Sequence, residues 1–546
     1  MNTHLNTNIG SVNTLFGQAR YQKDPLAVYQ QLCGDKTNNI LLESAEIDKK
    51  HQLKSLLLTD AAVKVVCNGN LVTMQALTLN GQAALAFVTS LFEQASLADA
   101  VQLEAATNGE QTLTLTFIDS AENVDELERL KATNVFQALR CFESIENEDS
   151  HPFAIFLGGA FAFDLMSVAE KLPQVDSGDN TCPDYVFYLA ETLVVIDHEK
   201  RATEIIGNVF SGPNQQKCYF EISRRLSSIK ELLSQDIQSV ITTNEAKVAT
   251  DGNKVDVDIS DQQFCTIVNE LKEHVKAGNI FQVVPSRTFS MHCPNTLLAY
   301  QVLKQTNPSP YMFYLQDDDF CMFGASPESA LKYQASNRQV ELYPIAGTRP
   351  RGFDAKGNLS LDLDSRIELE LRQDQKELAE HTMLVDLARN DIARVSAPGT
   401  RHVAELLKVD RYSHVMHLVS RVCGQLKPEL DALHAYQACM NMGTLSGAPK
   451  VKATELIRQY ENKRRGSYGG AVGYITGDGD MDTCIVIRSA FVKDNTAHVQ
   501  AGAGVVYDSV PQAEADETKQ KAQAVIRAVQ QANVILDVHI NSQGAS

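Results

Sequence analysis

GGAVGYITG (residues 469–477) and DTCIVIRSAFV (482–492) are two short β-type runs set at hairpin spacing, and their reading decides the fold around them. Hairpin spacing implies antiparallel pairing, because parallel neighbours need a long crossover. The same pattern spreads outward: NIFQVVPSRTFSM (279–291), PYMFYLQ (310–316), CMFGASPESALKY (321–333), QVELYPIAGTRPRG (339–352) and HVMHLVSRVCGQL (414–426). Strands outnumber helices throughout this region. A mixed α/β (α+β) fold follows, with large, mostly antiparallel β-sheets packed as a sandwich and helices on the outside.

Upstream, residues 21–233 alternate strand-like runs (NILLES, VKVVCNG, TLTLTFID, ETLVVIDH) with helical ones such as CYFEISRRLSSIKELLS. Residues 234–261 are polar with little periodicity and read as a linker to a catalytic part over 262–535; 1–20 reads as a loose start and 536–546 as a tail. With 546 residues and 44% hydrophobic content the chain can bury a large core. A net charge of -19 without any basic block argues against nucleic acid or an anionic membrane as partner. The start, MNTHLNTNIG, has neither region of a signal peptide and no apolar run is of membrane-spanning length, so a cytoplasmic location is expected. Eleven cysteines with no C-x-x-C pair indicate neither a zinc site nor a disulfide framework.

Chemistry concentrates where carboxylates point inward. In DSVPQAEADETKQKAQAVIRA (508–528), Ser509 and Gln512 have capping-box spacing and Pro511 suits a first turn. Glu514 and Glu517 then share one helical face with Lys521, Ala524, Val525 and Ala528. A second pair, Glu377 and Glu380, shares a face with Leu384 and Leu387. Either helix alone also reads as a solvated face with incidental acids. Together, four carboxylates aimed at packed surface would repel one another unless a cation or proton lies between them, and a hard divalent ion such as magnesium is the simplest answer. Just before the helix after Asp508, Gly502 and Gly504 break a β-type run in HVQAGAGVVYDS, where backbone amides can face an anion.

Other residues leave two readings open. Arg488, in an apolar run, is either half of a structural ion pair or a clamp for a substrate carboxylate. His417 is either a packed histidine or a catalyst, and Tyr468, between glycines, either meets a ligand or marks a tight turn. GTLSGAPK (443–450) could be only a helix start.

Taken together, PIAGTRPRG (344–352), AEHTMLVDLARND (379–391), GTLSGAPK, RRGSYGGAVGYI (464–475) and QAGAGVVYDSVPQAEADETKQK (500–521) resemble the chorismate-utilising enzymes, most closely the anthranilate synthase large subunits (component I), over about 263 to 530. The resemblance implies a magnesium-dependent lyase that makes anthranilate and pyruvate from chorismate and ammonia, at the first step of tryptophan biosynthesis. It implies Glu380 and Glu517 as magnesium ligands, with Glu377 and Glu514 behind them through water. Chorismate would be held by Gly347, Thr348, Tyr468, Arg488, Gly502, Ala503 and Gly504. Lys521 matches a carboxylate-side lysine, His417 the general acid for the departing C4 hydroxyl, and Thr444 a nearby site position. Ser44, Pro310, Tyr311 and Met312 match positions that bind tryptophan as feedback inhibitor.

Two positions discriminate within the resemblance. Aminodeoxychorismate synthases usually carry a lysine where this chain has Ala346, and water-using siblings a lysine base where it has Gln282; both point to ammonia and anthranilate. No glutaminase nucleophile motif is found, so a separate glutamine amidotransferase subunit (component II) and a hetero-oligomer are expected. The alternatives are aminodeoxychorismate synthase component I and a catalytically dead tryptophan-binding regulator.

Overall fold

The computed structural model describes residues 9–44, 53–94, 100–105, 112–118, 125–237, 254–354, 356–412 and 415–543. Its strands gather into one large sheet, antiparallel at its long ladders, and a separate two-stranded one in which Gln282–Val283 pairs with Gly447–Ala448. The opening hairpin forms as its spacing implies: Ala471–Thr476 pairs with Met481–Ile485, with Ala471 opposite Ile485. The second run then breaks. Arg488 takes φ 50°, in the left-handed region that a non-glycine residue seldom adopts, and the chain re-enters the sheet as Ser489–Lys493. A segment read as one strand is therefore two, with Arg488 at the corner.

Strand pairing joins the parts on either side of the expected linker. Tyr311–Gln316 pairs with Asn39–Glu43, and Ala471–Thr476 with Phe156–Phe161. In the latter ladder Gly473 lies opposite Gly159. A Cβ at Gly159 would sit 2.1 Å from Val186 O, and one at Gly473 2.1 Å from Asp482 O, so only glycine lets the neighbouring strands close up.

Three expected boundaries are corrected. The start expected to be loose holds a strand, Ser11–Ala19, antiparallel to Ala202–Phe210, because Val12 and Thr14 alternate into the interior. Within the expected linker, Asp256–Val257 pairs with the strand Ser286–His292, and Ser260 with Gln263 forms a capping box for the helix Asp261–Lys276; residues 238–253 lie outside the described residues. At the other end the helix Pro511–Gln543 runs on through most of the expected tail, since no glycine or further proline interrupts it.

Helices cover the sheet. The helix Pro511–Gln543 buries Ala522, Val525, Ala528 and Val529 against Phe289, Val499 and the helix Thr296–Thr306, and each fully buried valine contributes about 1.5–3 kcal/mol. Its partner helix, Gln375–Val395, buries Leu384, Val385, Ala388 and Ile392. The two acidic pairs sit at the N-terminal ends of these helices. Among the described residues no helix is long and apolar enough to cross a membrane.

Candidate active site

Asp374 starts the first acidic helix by accepting the Lys376 and Glu377 N–H groups. Arg349 then ties the turn down, donating to Asp374 at 2.7 Å and to Glu377 at 2.8 Å. One turn on, Glu380 points into the site. Burial first, then the charge of Glu377, pushes its carboxyl up to about 7; Glu517 adds to this and Lys521 opposes it.

The second acidic helix begins at Pro511, but not through the expected capping box. Ser509 instead turns its hydroxyl to the Val506 N–H (3.0 Å) and to Gly504 O, while Gln512 donates to Asp516. Glu514 is buried and its carboxyl is raised, mainly by burial, with Glu517 adding to the shift. Lys521 bridges the cluster to the glycine segment: its Nζ lies 2.6 Å from Glu517 and donates to Gly502 O at 3.0 Å.

The glycines are required by close approach. A Cβ at Gly502 would lie 2.7 Å from Pro285 O and 3.1 Å from the Tyr468 hydroxyl. One at Gly504 would lie 2.8 Å from Gln282 Nε2 and 3.5 Å from Glu380. Of the amides expected to face an anion, that of Ala503 is already engaged, donating to Pro285 O at 3.1 Å. Gly347, at φ 80°, sits at a bulge beside Glu377 and brings Thr348 opposite His417.

Near the acidic helices stands a buried cation, Arg488, whose charge interacts with that of Glu517. Arg488 has no carboxylate within 4 Å among the described residues, and burial lowers the pKa of its guanidinium, with Tyr468, Glu517 and Glu328 opposing. A desolvated arginine without an ion-pair partner favours the carboxylate-clamp reading over the structural one. His417 lies 2.8 Å from the Thr348 hydroxyl; burial, then the Arg488 charge, holds its imidazole down at about 4. Such a ring is neutral near pH 7.

Glu328 was not among the candidates read from the sequence. It is buried, accepts a 3.1 Å hydrogen bond from Thr444, and is pushed up to about 8 by burial despite Thr444, Lys521 and Arg488. Burial thus favours its neutral, protonated form, and its charge interacts with those of Lys521 and Arg488. The one signal in the sequence was an acid inside the largely apolar run CMFGASPESALKY.

The donor set fits a hard divalent cation. Its members are all carboxylate oxygens, their mutual repulsion is visible at Glu380 and Glu514, and the nearby Gln282 Oε1 is buried with no hydrogen-bond partner. Among the described residues no three acidic, histidine or cysteine groups converge closely enough to enclose an ion unaided.

Comparison with known proteins agrees with this geometry. The chorismate binding enzyme family matches residues 90–527. Anthranilate synthase component 1 of Vibrio cholerae is 55% identical over 521 residues, covering 95% of this chain and 96% of that protein. The Escherichia coli protein of that name is 52% identical, covering 96% and 98%. The chain belongs to the chorismate-binding enzymes, in the anthranilate synthase component 1 branch. The crystal structure of anthranilate synthase component I from Streptococcus pneumoniae matches with TM-score 0.64 at 27% identity, covering 93% of this chain and 99% of that one.

Within this chorismate-binding enzyme the expected residues fall into two places. Gly347, Thr348, Glu377, Glu380, His417, Thr444, Tyr468, Arg488, Gly502, Ala503, Gly504, Glu514, Glu517 and Lys521 are linked through one site by the contacts and charge interactions above and by those of Tyr468 with Arg488 and Gly502. Ser44, Pro310, Tyr311 and Met312 lie together elsewhere: the Ser44 hydroxyl donates to Pro310 O at 2.8 Å and Met312 pairs with Glu43.

Proposed function

We propose that the chain, in the cytosol, converts chorismate and ammonia to anthranilate and pyruvate with magnesium, the ammonia coming from glutamine on a separate amidotransferase subunit, and that tryptophan inhibits it. The observation that carries the reading is a buried Arg488 with no carboxylate within 4 Å among the described residues, in charge interaction with Glu517 of the four-carboxylate cluster. A dicarboxylate such as chorismate complements both. Glu380 and Glu517, with Glu377 and Glu514 through water, would hold magnesium, which when bound supplies fixed positive charge at the ring carboxylate. Arg488 and Tyr468 grip the enolpyruvyl carboxylate.

Between them the ring reacts. Ammonia forms the new bond at C2 as the C4–O bond breaks, and the hydroxyl leaves as water with a proton from Glu328, which its raised pKa keeps loaded at neutral pH. Thr444 orients that carboxyl. His417, neutral and bonded to Thr348, positions the substrate in this reading and leaves the acid role to Glu328. Loss of the C2 proton and cleavage of the C3–O bond then release pyruvate and aromatise the ring.

The second cluster supports feedback by tryptophan. Binding there would stabilise a state that holds chorismate poorly, and by linkage chorismate weakens tryptophan equally. Ser44→Phe removes the hydrogen bond to Pro310 O and puts a large ring where the hydroxyl stood, so tryptophan inhibition should be lost and turnover kept. Inhibition that persists unchanged would sink the assignment.

The test of the whole reading is anthranilate fluorescence from the purified chain given chorismate, magnesium and an ammonium salt, with and without tryptophan. A magnesium-dependent signal suppressed by tryptophan is expected. Chorismate consumed without anthranilate would point to a sibling reaction.

A further inference from the structure

We infer that Arg465 is the positioning residue that holds the chorismate site together, an inference that rests on the function proposed above. Its side chain is 1% exposed. Three of its contacts end on segments that carry site residues: Leu445 beside Thr444, Val284 near Gln282, and Tyr468 itself. One terminal nitrogen, Nη1, donates to Leu445 O at 2.8 Å, next to Thr444. The other, Nη2, donates to Val284 O at 2.6 Å, two residues from Gln282. Its Nε donates to Glu461 at 2.9 Å, completing a two-point ion pair. Glu461 in turn accepts the N–H and hydroxyl of Ser286, both at 2.8 Å, and the adjacent Pro285 carbonyl takes the Ala503 N–H. The guanidinium also lies 5.5 Å from the centre of the Tyr468 ring and 4.6 Å from that of Phe163.

Pieces of chain distant in sequence are thus fixed to one another through a single planar cation. Only arginine can do this. A lysine keeps the charge against Glu461 but cannot reach two carbonyls and lie against two rings at once. Arg465 is not placed to touch substrate, so replacing it displaces Tyr468 and Thr444 without removing a reacting group.

The experiment compares the full chain with Arg465→Lys, using chorismate, magnesium and ammonium. The chorismate KM should rise about tenfold or more, since small misplacements of binding groups cost that much, while the ammonium KM stays within about twofold and the circular dichroism is retained. A merely structural role would lower the unfolding midpoint and the yield of active protein but leave the chorismate KM unmoved, and that result overturns the inference. An equal rise in both KM values, the mark of general loosening, overturns it as well. Should Arg465→Lys fail to accumulate, Phe163→Leu removes the ring beside the guanidinium and should raise the chorismate KM about threefold, in line with one cation–π contact; no change there is equally fatal. An unaltered chain that makes no anthranilate brings down the functional reading and this inference together, whereas normal chorismate kinetics in Arg465→Lys remove the inference alone.

Discussion

Glu328 and His417 show how burial assigns opposite protonation states to two groups that share a site. Burial raises a carboxyl and lowers an imidazole because in each case it disfavours the charged form. Glu328→Gln keeps a hydrogen bond to Thr444 but has no proton to give, so kcat should fall about 100-fold or more with chorismate KM little changed. In the unaltered enzyme, at saturating free ammonia, kcat should decline as pH rises through about 8, where Glu328 loses its proton. His417 bears on stability. Its folded pKa of about 4 lies below the ordinary 6.5, so its contribution is complete above pH 6.5 and is lost as pH falls through 4, where the unfolded chain binds the proton more readily. Relative to His417→Gln, the unaltered protein should lose about 3 kcal/mol between pH 7 and pH 4, read from urea midpoints at each pH.

At the scale of elements, two helices and a glycine segment make the acidic half of the site. The helix from Gln375 and the helix from Pro511 each present two acids a turn apart, a periodicity visible in the sequence. What each acid does depends on its neighbour: Glu377 is ion-paired with Arg349 and Glu517 with Lys521, while Glu380 receives a long 3.5 Å bond from Gln282. Glu517→Gln should raise the magnesium concentration for half-maximal rate by at least about tenfold, because a site with few protein ligands loses much with one charge. An unshifted magnesium titration would remove Glu517 from the ligand set. The Arg488 corner was hidden at this scale, since its apolar flanks read as one continuous strand and only the left-handed backbone turn separates the two.

Across the whole molecule, the sheet makes the N-terminal part a structural neighbour of the chemistry. Met312 pairs with Glu43, Gly473 pairs with Gly159, and Asp164, inside the N-terminal part, accepts from the Gly466 N–H at 2.9 Å, two residues before Tyr468. A fragment of residues 254–546 would expose both strand edges and leave Arg458 without its 2.8 Å bond to Asp164. It should be insoluble or aggregate when produced alone, and co-production with residues 1–237 should restore soluble, chorismate-binding protein, as measured by size-exclusion chromatography and activity.

The sequence by itself determined the strand-rich class, the two acidic helices, the close-packed glycines before the second of them and the membership implied by long, specific motifs, because these rest on local periodicity and on residue types at fixed spacing. The tertiary structure alone decided the rest. Whether Arg488 meets a carboxylate, whether Glu328 keeps its proton, whether Ser509 caps a helix, and what Arg465 holds all depend on desolvation and on partners more than a hundred residues away or on backbone turns that no spacing records.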